Sequence, residues 1–353
     1  MKKLLLLAAL VVTAAVSTLA LSESGYRLLK KIPIASDGQW DYVNADVVNR
    51  KIYVSHGSQM EVIDADSLEL VGKIPAPEVD HSNTSTSQPV HGVAIAWELG
   101  RGFTSNGRAS SMTIFDLKTL KILGEEKVGE SPDGILYDPA SRRAFTFSNH
   151  TKGATAVDGA TGKAVGSIDL GGKPEAATAD GKGHIFVNIE DRDVVVRFDS
   201  HKLIASGRWK LDPCHEPTSM AMDHERKRIF VGCRNKLMAV LNADNGKIVT
   251  TLPIGGNTDS AAYDPLPRLV FFSNGDGTLT VIQQESADRY KVLENLKTEP
   301  NARTMALDTK THRIFLSAAD RAPLPPPAQP GQPAPRRAEI LPGSFRVLVL
   351  GKE

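Results

Sequence analysis

The sequence predicts an all-β fold, a seven-bladed β-propeller with four antiparallel strands in each blade. The first observation is a repeated unit: a short apolar run ends in Asp, a polar turn follows, and a basic residue opens an apolar–aromatic run. Clear copies contain Asp138, Asp223 and Asp308. The same slot in the other copies holds Asp46, Ala96, Asp180 and Asp264.

The second observation is the spacing of these seven landmarks. Successive differences are 50, 42, 42, 43, 41 and 44 residues (96−46, 138−96, 180−138, 223−180, 264−223 and 308−264). Periods near forty, in segments that alternate between apolar runs and turn residues, are typical of β-propellers with one sheet per repeat. Seven landmarks therefore predict seven blades.

The first twenty residues have the pattern of a signal peptide. Lys2 and Lys3 precede an apolar run over residues 4–16, and the small residues Thr18 and Ala20 form a cleavage signal. The alternative is a membrane anchor, but the apolar run is short for a stable span. We expect cleavage after about Ala20, a periplasmic or secreted location, and a single domain over residues 21–353.

Blade 3 illustrates the predicted strands, which cover residues 134–137, 144–147, 154–157 and 164–168 and are separated by turn residues. The last repeat has no fourth strand of its own after residues 345–349. The spare strand at residues 26–32 is therefore predicted to complete blade 7 and to close the ring. A Pro-rich segment, residues 321–342, interrupts that blade as a surface loop, a lid or a partner ligand.

Composition limits the classes of partner. The chain has 42 basic and 41 acidic residues and a formal charge of +1, which argues against nucleic acid as a partner. We expect a monomer without a membrane span once the signal peptide is removed.

The two cysteines, Cys214 and Cys233, fall on one face of blade 5, in the loop entering the blade and at the end of its second strand. We predict a disulfide between them; the alternative is two reduced neighbouring thiols.

The chain resembles the YncE/YVTN-repeat family of exported seven-bladed propellers over nearly the whole predicted mature chain. The resemblance is carried by recurring stretches such as Ile229-Phe230-Val231 after Arg228, and by residues 243–249, 274–281 and 303–308. It implies the fold and export. It implies little chemistry, although some related propellers are metal-dependent lactonases or lyases and others work beside quinone cofactors.

The repeat also predicts which residues lie at the mouth of the central channel. In each blade the start of the first strand and the end of the second share one face, here called the top face. The mouth positions are Asp41, His91, Asp133, Glu175, Thr218, Asp259 and Arg303, with Glu216 just before Thr218. The second-strand ends add further polar groups, among them His56, Asn149 and Arg234. Asp133, Glu175, Glu216 and Asp259 form an acidic arc, and His56, His81 and His91 share its rim.

These residue types suit three different roles. The arc with Asp41, His91 and Arg303 is a candidate ligand site, whereas His56, His91, Asp133 and Glu175 are candidate metal ligands, and the only cofactor suggested is a divalent cation. A solvated polar rim is the third interpretation, because any propeller mouth is wet and Arg303 can pair with a neighbouring Asp.

The favoured hypothesis is an exported binding scaffold for a small molecule or protein at the top face. The alternative is a metal-dependent hydrolase, lactonase or lyase that uses the acidic arc, with a histidine such as His91 as acid–base.

Overall fold

Seven four-stranded antiparallel sheets form a closed ring in the computed structural model, which describes residues 24–36, 38–79, 88–323 and 338–352. The innermost strands of successive blades contact one another in cyclic order, and blade 7 contacts blade 1. The predicted seven-bladed propeller is confirmed. The predicted signal peptide, residues 1–20, lies outside the described residues.

The first three blades contain strands β2 to β13. Blade 1 consists of β2 (Trp40–Asp46), β3 (Lys51–His56), β4 (Gln59–Asp64) and β5 (Leu70–Pro75). Blade 2 consists of β6 (Val93–Ala96), β7 (Arg101–Asn106), β8 (Ser111–Asp116) and β9 (Ile122–Lys127). Blade 3 consists of β10 (Pro132–Asp138), β11 (Arg143–Ser148), β12 (Gly153–Asp158) and β13 (Ala164–Asp169).

The next three blades contain strands β14 to β25. Blade 4 consists of β14 (Pro174–Ala179), β15 (His184–Ile189), β16 (Val194–Asp199) and β17 (Ile204–Lys210). Blade 5 consists of β18 (Pro217–Asp223), β19 (Arg228–Cys233), β20 (Leu237–Asn242) and β21 (Ile248–Pro253). Blade 6 consists of β22 (Thr258–Asp264), β23 (Leu269–Asn274), β24 (Thr278–Gln284) and β25 (Tyr290–Lys297). Short 3₁₀ turns, Trp97–Leu99 and Glu190–Arg192, follow β6 and β15.

Blade 7 is assembled from both ends of the described chain. Its strands are β26 (Met305–Asp308), β27 (Arg313–Ala318), β28 (Arg346–Gly351) and the N-terminal β1 (Arg27–Pro33). β1 pairs antiparallel with β28, so the predicted closure is confirmed. β1 covers the outer edge of β28 and gives blade 7 its fourth strand, so this edge is not left open to pair with another chain.

Each junction between neighbouring blades encloses its own apolar core, and the seven cores together hold the ring. One residue from the innermost strand of a blade, two positions after the mouth residue, joins each core. These residues are Val43, Val93, Ile135, Ala177, Met220, Ala261 and Met305. Along each innermost strand, the residue two positions after the mouth residue is therefore apolar, and together these side chains form a ring below the charged mouth.

The landmark residues of the repeat join blades on the face opposite the mouth. Trp97 donates its indole N–H to Asp46 of the preceding blade at 2.9 Å, and Arg50 pairs with Asp308 across the closing junction at 2.8 Å. Basic residues that open the second strand also reach the next blade, as Arg143 does to the carbonyl of Ser200 at 2.9 Å. The recurring Asp and Arg residues therefore have a structural role in joining blades, and some of them, such as Asp46 and Asp308, are buried.

The two cysteines form the predicted disulfide. Cys214 and Cys233 are fully buried, with Cα atoms 5.7 Å apart. The bond ties the loop that enters blade 5 to the end of β19. Among the described residues, no helix is long and apolar enough to cross a membrane.

Candidate ligand-binding site at the channel mouth

A cavity of about 520 Å³ opens at the mouth of the central channel. Six of the predicted mouth or ligand residues line it: Asp41, His91, Asp133, Glu175, Asp259 and Arg303. Each stands at or just before the start of the innermost strand of its blade. The volume falls in the range of small-molecule pockets, about 300–1,000 Å³.

The strand starts are irregular, and this irregularity determines which side chains reach the mouth. In blades 1, 3, 4, 5 and 6 the pairing of the innermost strand with its neighbour shifts register within its first residues. Such bulges re-aim one side chain relative to the rest of the strand. Asp133 and Glu175 lie inside these irregular stretches, one residue after the prolines that begin β10 and β14.

His91 links two of the carboxylates. Its Nδ1 lies 2.6 Å from Asp41 Oδ2 and 3.2 Å from Asp133 Oδ1. Burial alone lowers the pKa of His91, but the two carboxylates outweigh burial and raise it to about 10. The ring is therefore an imidazolium at neutral pH, held between two carboxylates from the blades on either side.

Asp41, His91 and Asp133 also form the one group among the described residues whose ligand atoms lie within 4.8 Å of one another in a set suited to a metal ion. An ion bound there must displace one ring proton of His91, because metals bind the neutral imidazole.

Glu175 is the least satisfied carboxyl group of the mouth. Its Oε2 atom is buried and receives no hydrogen bond. Burial raises the pKa of Glu175 well above its usual value, and Asp133, Asp259 and Glu190 raise it further. A buried acceptor without a donor destabilises a protein by about 1–3 kcal/mol.

Two further acceptors in this cavity also lack a donor. Asn149 donates through Nδ2 to Asp133 Oδ2 at 3.4 Å, and its Oδ1 atom is buried without a partner. Asp133 Oδ1 forms an ion pair with the His91 ring at 3.2 Å, but the Nδ1 proton lies on the shorter path to Asp41, so this oxygen has no hydrogen bond of its own. All three unsatisfied oxygens belong to blades 3 and 4.

The other side of the mouth is internally paired. Arg303 Nη1 lies 3.2 Å from Asp259 Oδ2. Burial raises the pKa of Asp259 to about 6 despite the opposing charge of Arg303. A pair of this kind is what the solvated-rim interpretation predicts, and it involves only blades 6 and 7.

Tyr42 lies beneath all of these groups. Its pKa is raised well above the usual value, first by burial and then by the charges of Asp133, Glu175, Asp41 and Asp259. Its hydroxyl is therefore neutral and close to four carboxyl groups. Tyr42 was not predicted as a site residue; its position directly after Asp41 was the one signal available.

Two cations stand at the edge of the cavity above Glu175. Lys173 and Arg234 both line the cavity, and both bind the single carboxylate of Glu190, Arg234 at 3.1 Å. Glu190 is buried, whereas the side chains of Lys173 and Arg234 are 41% and 40% exposed. Lys173 was not predicted as a site residue, because a Lys in a crossing loop carries no sequence signal of its own.

Two of the predicted site residues do not join the cavity. Glu216 precedes β18, is exposed, and its backbone N–H donates to Asp193 at 2.7 Å. The corresponding channel position is taken by Thr218, whose buried hydroxyl donates to the carbonyl of Thr258 at 2.6 Å. The acidic arc is therefore interrupted at blade 5.

His56 lies in the core between blades 7 and 1. It is buried, its ring stacks on Phe345 with centroids 3.7 Å apart, and its Nδ1 lies 2.7 Å from Ser36 Oγ. It belongs to neither the cavity lining nor the group of Asp41, His91 and Asp133, so the predicted metal set of four does not assemble. The reason is that β3 ends with His56 directed into the inter-blade core. His81 lies outside the described residues.

The channel continues below the mouth as a narrower space of about 220 Å³. Tyr42, Glu175 and Asp259 border both spaces. Beside the mouth, a second cavity of about 390 Å³ is bordered by Arg321 and Ala338, which belong to the predicted Pro-rich loop. Residues 324–337 of that loop lie outside the part of the chain described.

Comparison with known proteins identifies the fold and nothing finer. No family model matches the chain, and no curated protein matches it. Among solved structures, a chain of the "Crystal Structure of Mitotic Checkpoint Complex" is similar with a TM-score of 0.67 and 13% sequence identity, covering 90% of this chain and 94% of that chain. Because 1746 solved chains match, the likeness shows a widely shared fold and carries no function.

Proposed function

We propose that the protein is an exported binding scaffold that holds a small polar ligand through a primary amine in the cavity at the channel mouth. The observation that carries this proposal is the pair of buried acceptor oxygens without donors on Asn149 and Glu175, next to Asp133 Oδ1, which is held only by the ion pair with His91 that Asp41 shares. A primary ammonium offers three N–H donors and one positive charge, which is the complement of this set.

The charges of the mouth support the same class of ligand. Asp41 and Asp133 share His91, and Asp259 is paired with Arg303, but Glu175 has no cation of its own within hydrogen-bonding distance. An ammonium next to Glu175 would satisfy its carboxylate and offset the repulsion from Asp133 and Asp259.

Thermal unfolding with matched pairs of probes tests this proposal. Ethanolamine and glucosamine should raise the melting temperature, whereas choline and glucose should not, because they lack the ammonium N–H donors. The Glu175→Gln variant should lose the response, while the Glu225→Gln variant, which alters an exposed residue of the opposite face, should retain it. If no amine shifts the transition, or the Glu175→Gln variant responds equally, the binding proposal is wrong.

Export and family membership belong to the same proposal. The predicted signal peptide and the disulfide between Cys214 and Cys233 both suit an oxidising compartment. Expression of the full chain in a bacterial host should yield a periplasmic protein that begins near residue 21, and an intact Met1 in the cytoplasm would count against export. If a solved member of the YncE/YVTN family closed its ring without an N-terminal strand, that structure would count against placing this chain in the family, because here β1 completes blade 7.

A second candidate function rests on one observation, the proximity of Asp41, His91 and Asp133. These residues offer two carboxylates and an imidazole, a donor set suited to a transition metal, which would lower the pKa of a bound water for hydrolysis. This candidate is the metal-dependent hydrolase, lactonase or lyase.

A melting screen with calcium, magnesium, manganese, zinc and copper ions separates the two candidates. A metal at a hundredfold excess over its dissociation constant should add about 2.7 kcal/mol to the free energy of unfolding. For a metal site, Asp41→Asn should abolish this gain and Glu175→Gln should leave most of it. No gain with any ion, together with no activity on a panel of lactones, would remove the metal-dependent candidate.

A further inference from the structure

The cavity contains a surplus positive charge beside its unsatisfied acceptors. Lys173 and Arg234 carry two positive charges, and both bind the single carboxylate of Glu190, which carries one negative charge. Both oxygens of Glu190 are used, one by each cation. One positive charge therefore remains without a counter-ion at this edge of the cavity.

The two cations keep donors for a further partner. A guanidinium has five N–H donors and an ammonium has three, and Glu190 occupies only a few of them. Both side chains are about two-fifths exposed, so a ligand in the cavity can reach them. Arg303 differs, because Asp259 already neutralises its charge.

The surplus charge lies close to Glu175. Lys173 precedes Glu175 by two residues, at the start of the same blade. Burial lowers the pKa of Lys173, but the hydrogen bond with Glu190 and the charge of nearby Glu175 outweigh burial and raise it. An unsatisfied acidic group and a basic pair that shares one carboxylate are thus neighbours in one cavity.

We propose that the ligand is a small zwitterion of the amino acid class, whose ammonium binds Asp133, Asn149 and Glu175 and whose carboxylate binds Lys173 and Arg234. This inference rests on the proposed function and adds the anionic half of the ligand. Arg binds carboxylates through paired N–H donors, and charge-assisted hydrogen bonds of this kind are shorter and stronger than neutral ones. A cavity of about 520 Å³ admits a molecule of this size and excludes a folded partner.

Isothermal titration with a graded series of probes tests the inference. The series is glycine, β-alanine, 4-aminobutyrate and 5-aminovalerate, each compared with the alkylamine that lacks its carboxylate. The best zwitterion should bind at least tenfold more tightly than its matched amine. The affinity should peak at one chain length, because the two halves of the site are a fixed distance apart.

Two single variants locate the carboxylate half of the site. Lys173→Gln and Arg234→Gln each leave Glu190 one cation, and each should reduce the preference for the zwitterion over its matched amine to less than threefold. Arg192→Gln removes the same charge from an exposed neighbour outside the cavity lining and should change neither affinity.

The outcomes distinguish the inference from the proposed function. If amines and zwitterions bind the unaltered protein equally, or the preference survives both variants, the zwitterion inference is wrong and the amine site stands. If neither class of probe binds, the amine site is wrong as well. The chain-length series requires no variant, so it decides the question even if a substitution prevents folding.

Discussion

Carboxylates at the two ends of the innermost strands differ in what they bind. At the end opposite the mouth, Asp308 is fully buried and accepts hydrogen bonds from Arg50 of the next blade, from Thr311 and from the backbone of Lys310. At the mouth, Glu175 is also largely enclosed, yet one of its oxygens has no donor. The same chemical group is completely satisfied at one end and left incomplete at the other.

The pKa values follow this difference. Burial acts to raise the pKa of Asp308, but the hydrogen bonds from Arg50 and Thr311 outweigh it, and the pKa lies below its usual value. The pKa of Glu175 is raised by burial and by its acidic neighbours. One end of the strand therefore uses its carboxylates to hold blades together, and the other keeps a carboxyl group available for a ligand at some cost in stability.

The largest expected effect is the loss of a satisfied carboxylate. Asp308→Ala should lower the free energy of unfolding by about 4 kcal/mol, because it removes a turn cap and leaves Arg50 with only the exposed Asp66. Urea unfolding at pH 7 measures this loss. The matched mouth variant Glu175→Ala should change stability by no more than about 1 kcal/mol, and equal losses at the two ends would contradict the contrast.

The disulfide is the next largest contribution, and it ties the mouth face itself. Replacing Cys214 and Cys233 with Ala should cost about 3 kcal/mol, as the chain-entropy relation gives for a separation of 19 residues. The loop that leads to Thr218 should loosen first, which hydrogen exchange of its amides would detect. Unchanged unfolding after reduction would show that the bond contributes nothing to the stability of this face.

The sequence predicted the parts of this contrast that depend on the repeat. Its period locates every innermost strand, so the blades, the closing strand β1 and the mouth positions such as Asp133 follow from counting. Glu216 does not line the cavity: it lies two residues before Thr218, which occupies the mouth position that the repeat predicts for blade 5.

The sequence also assigned His56 to the rim, and the structure places it in a core. Side chains alternate between the two faces of a blade along each strand, so an error of one position at the end of β3 exchanges the cavity for the core. His56 therefore packs on Phe345 instead of lining the cavity. The shared partner of Lys173 and Arg234 was beyond prediction, because their meeting at Glu190 depends on the distance between two blades.

The affinity for an amine should depend on pH through Glu175. Its pKa in the free protein is raised by burial and by its acidic neighbours, so it keeps its proton to a higher pH than an exposed carboxyl group, and an incoming ammonium favours the ionised form. Binding should therefore release a proton, and affinity should rise by up to tenfold per pH unit until Glu175 is ionised without ligand. Asp133, Asp259 and Glu190 favour the protonated form in the free protein, and Lys173 opposes them.

Titration in buffers with different ionisation enthalpies between pH 5 and pH 8.5 measures both the affinity and the proton release. Glu175→Gln should bind more weakly and without this pH dependence. An affinity that falls as pH rises, or binding without proton release, would contradict the assignment of the ammonium to Glu175.

The smallest expected effect is on stability without any ligand. Because the pKa of Glu175 is higher in the folded than in the unfolded chain, its contribution to stability is fully present below the unfolded pKa and is lost as pH rises through the folded pKa. Glu175→Gln lacks this loss, so its free energy of unfolding should rise relative to that of the unaltered protein as pH increases. The expected difference at pH 8 is about 1 kcal/mol, the lower end of the cost of an unsatisfied polar group. Urea unfolding at pH 5 and pH 8 measures the difference, with Glu225→Gln as the exposed control expected to show none. A Glu175→Gln variant that is less stable at pH 8 than at pH 5, relative to the unaltered protein, would mean that Glu175 is satisfied as Asp308 is, and the two ends of the strand would then be alike.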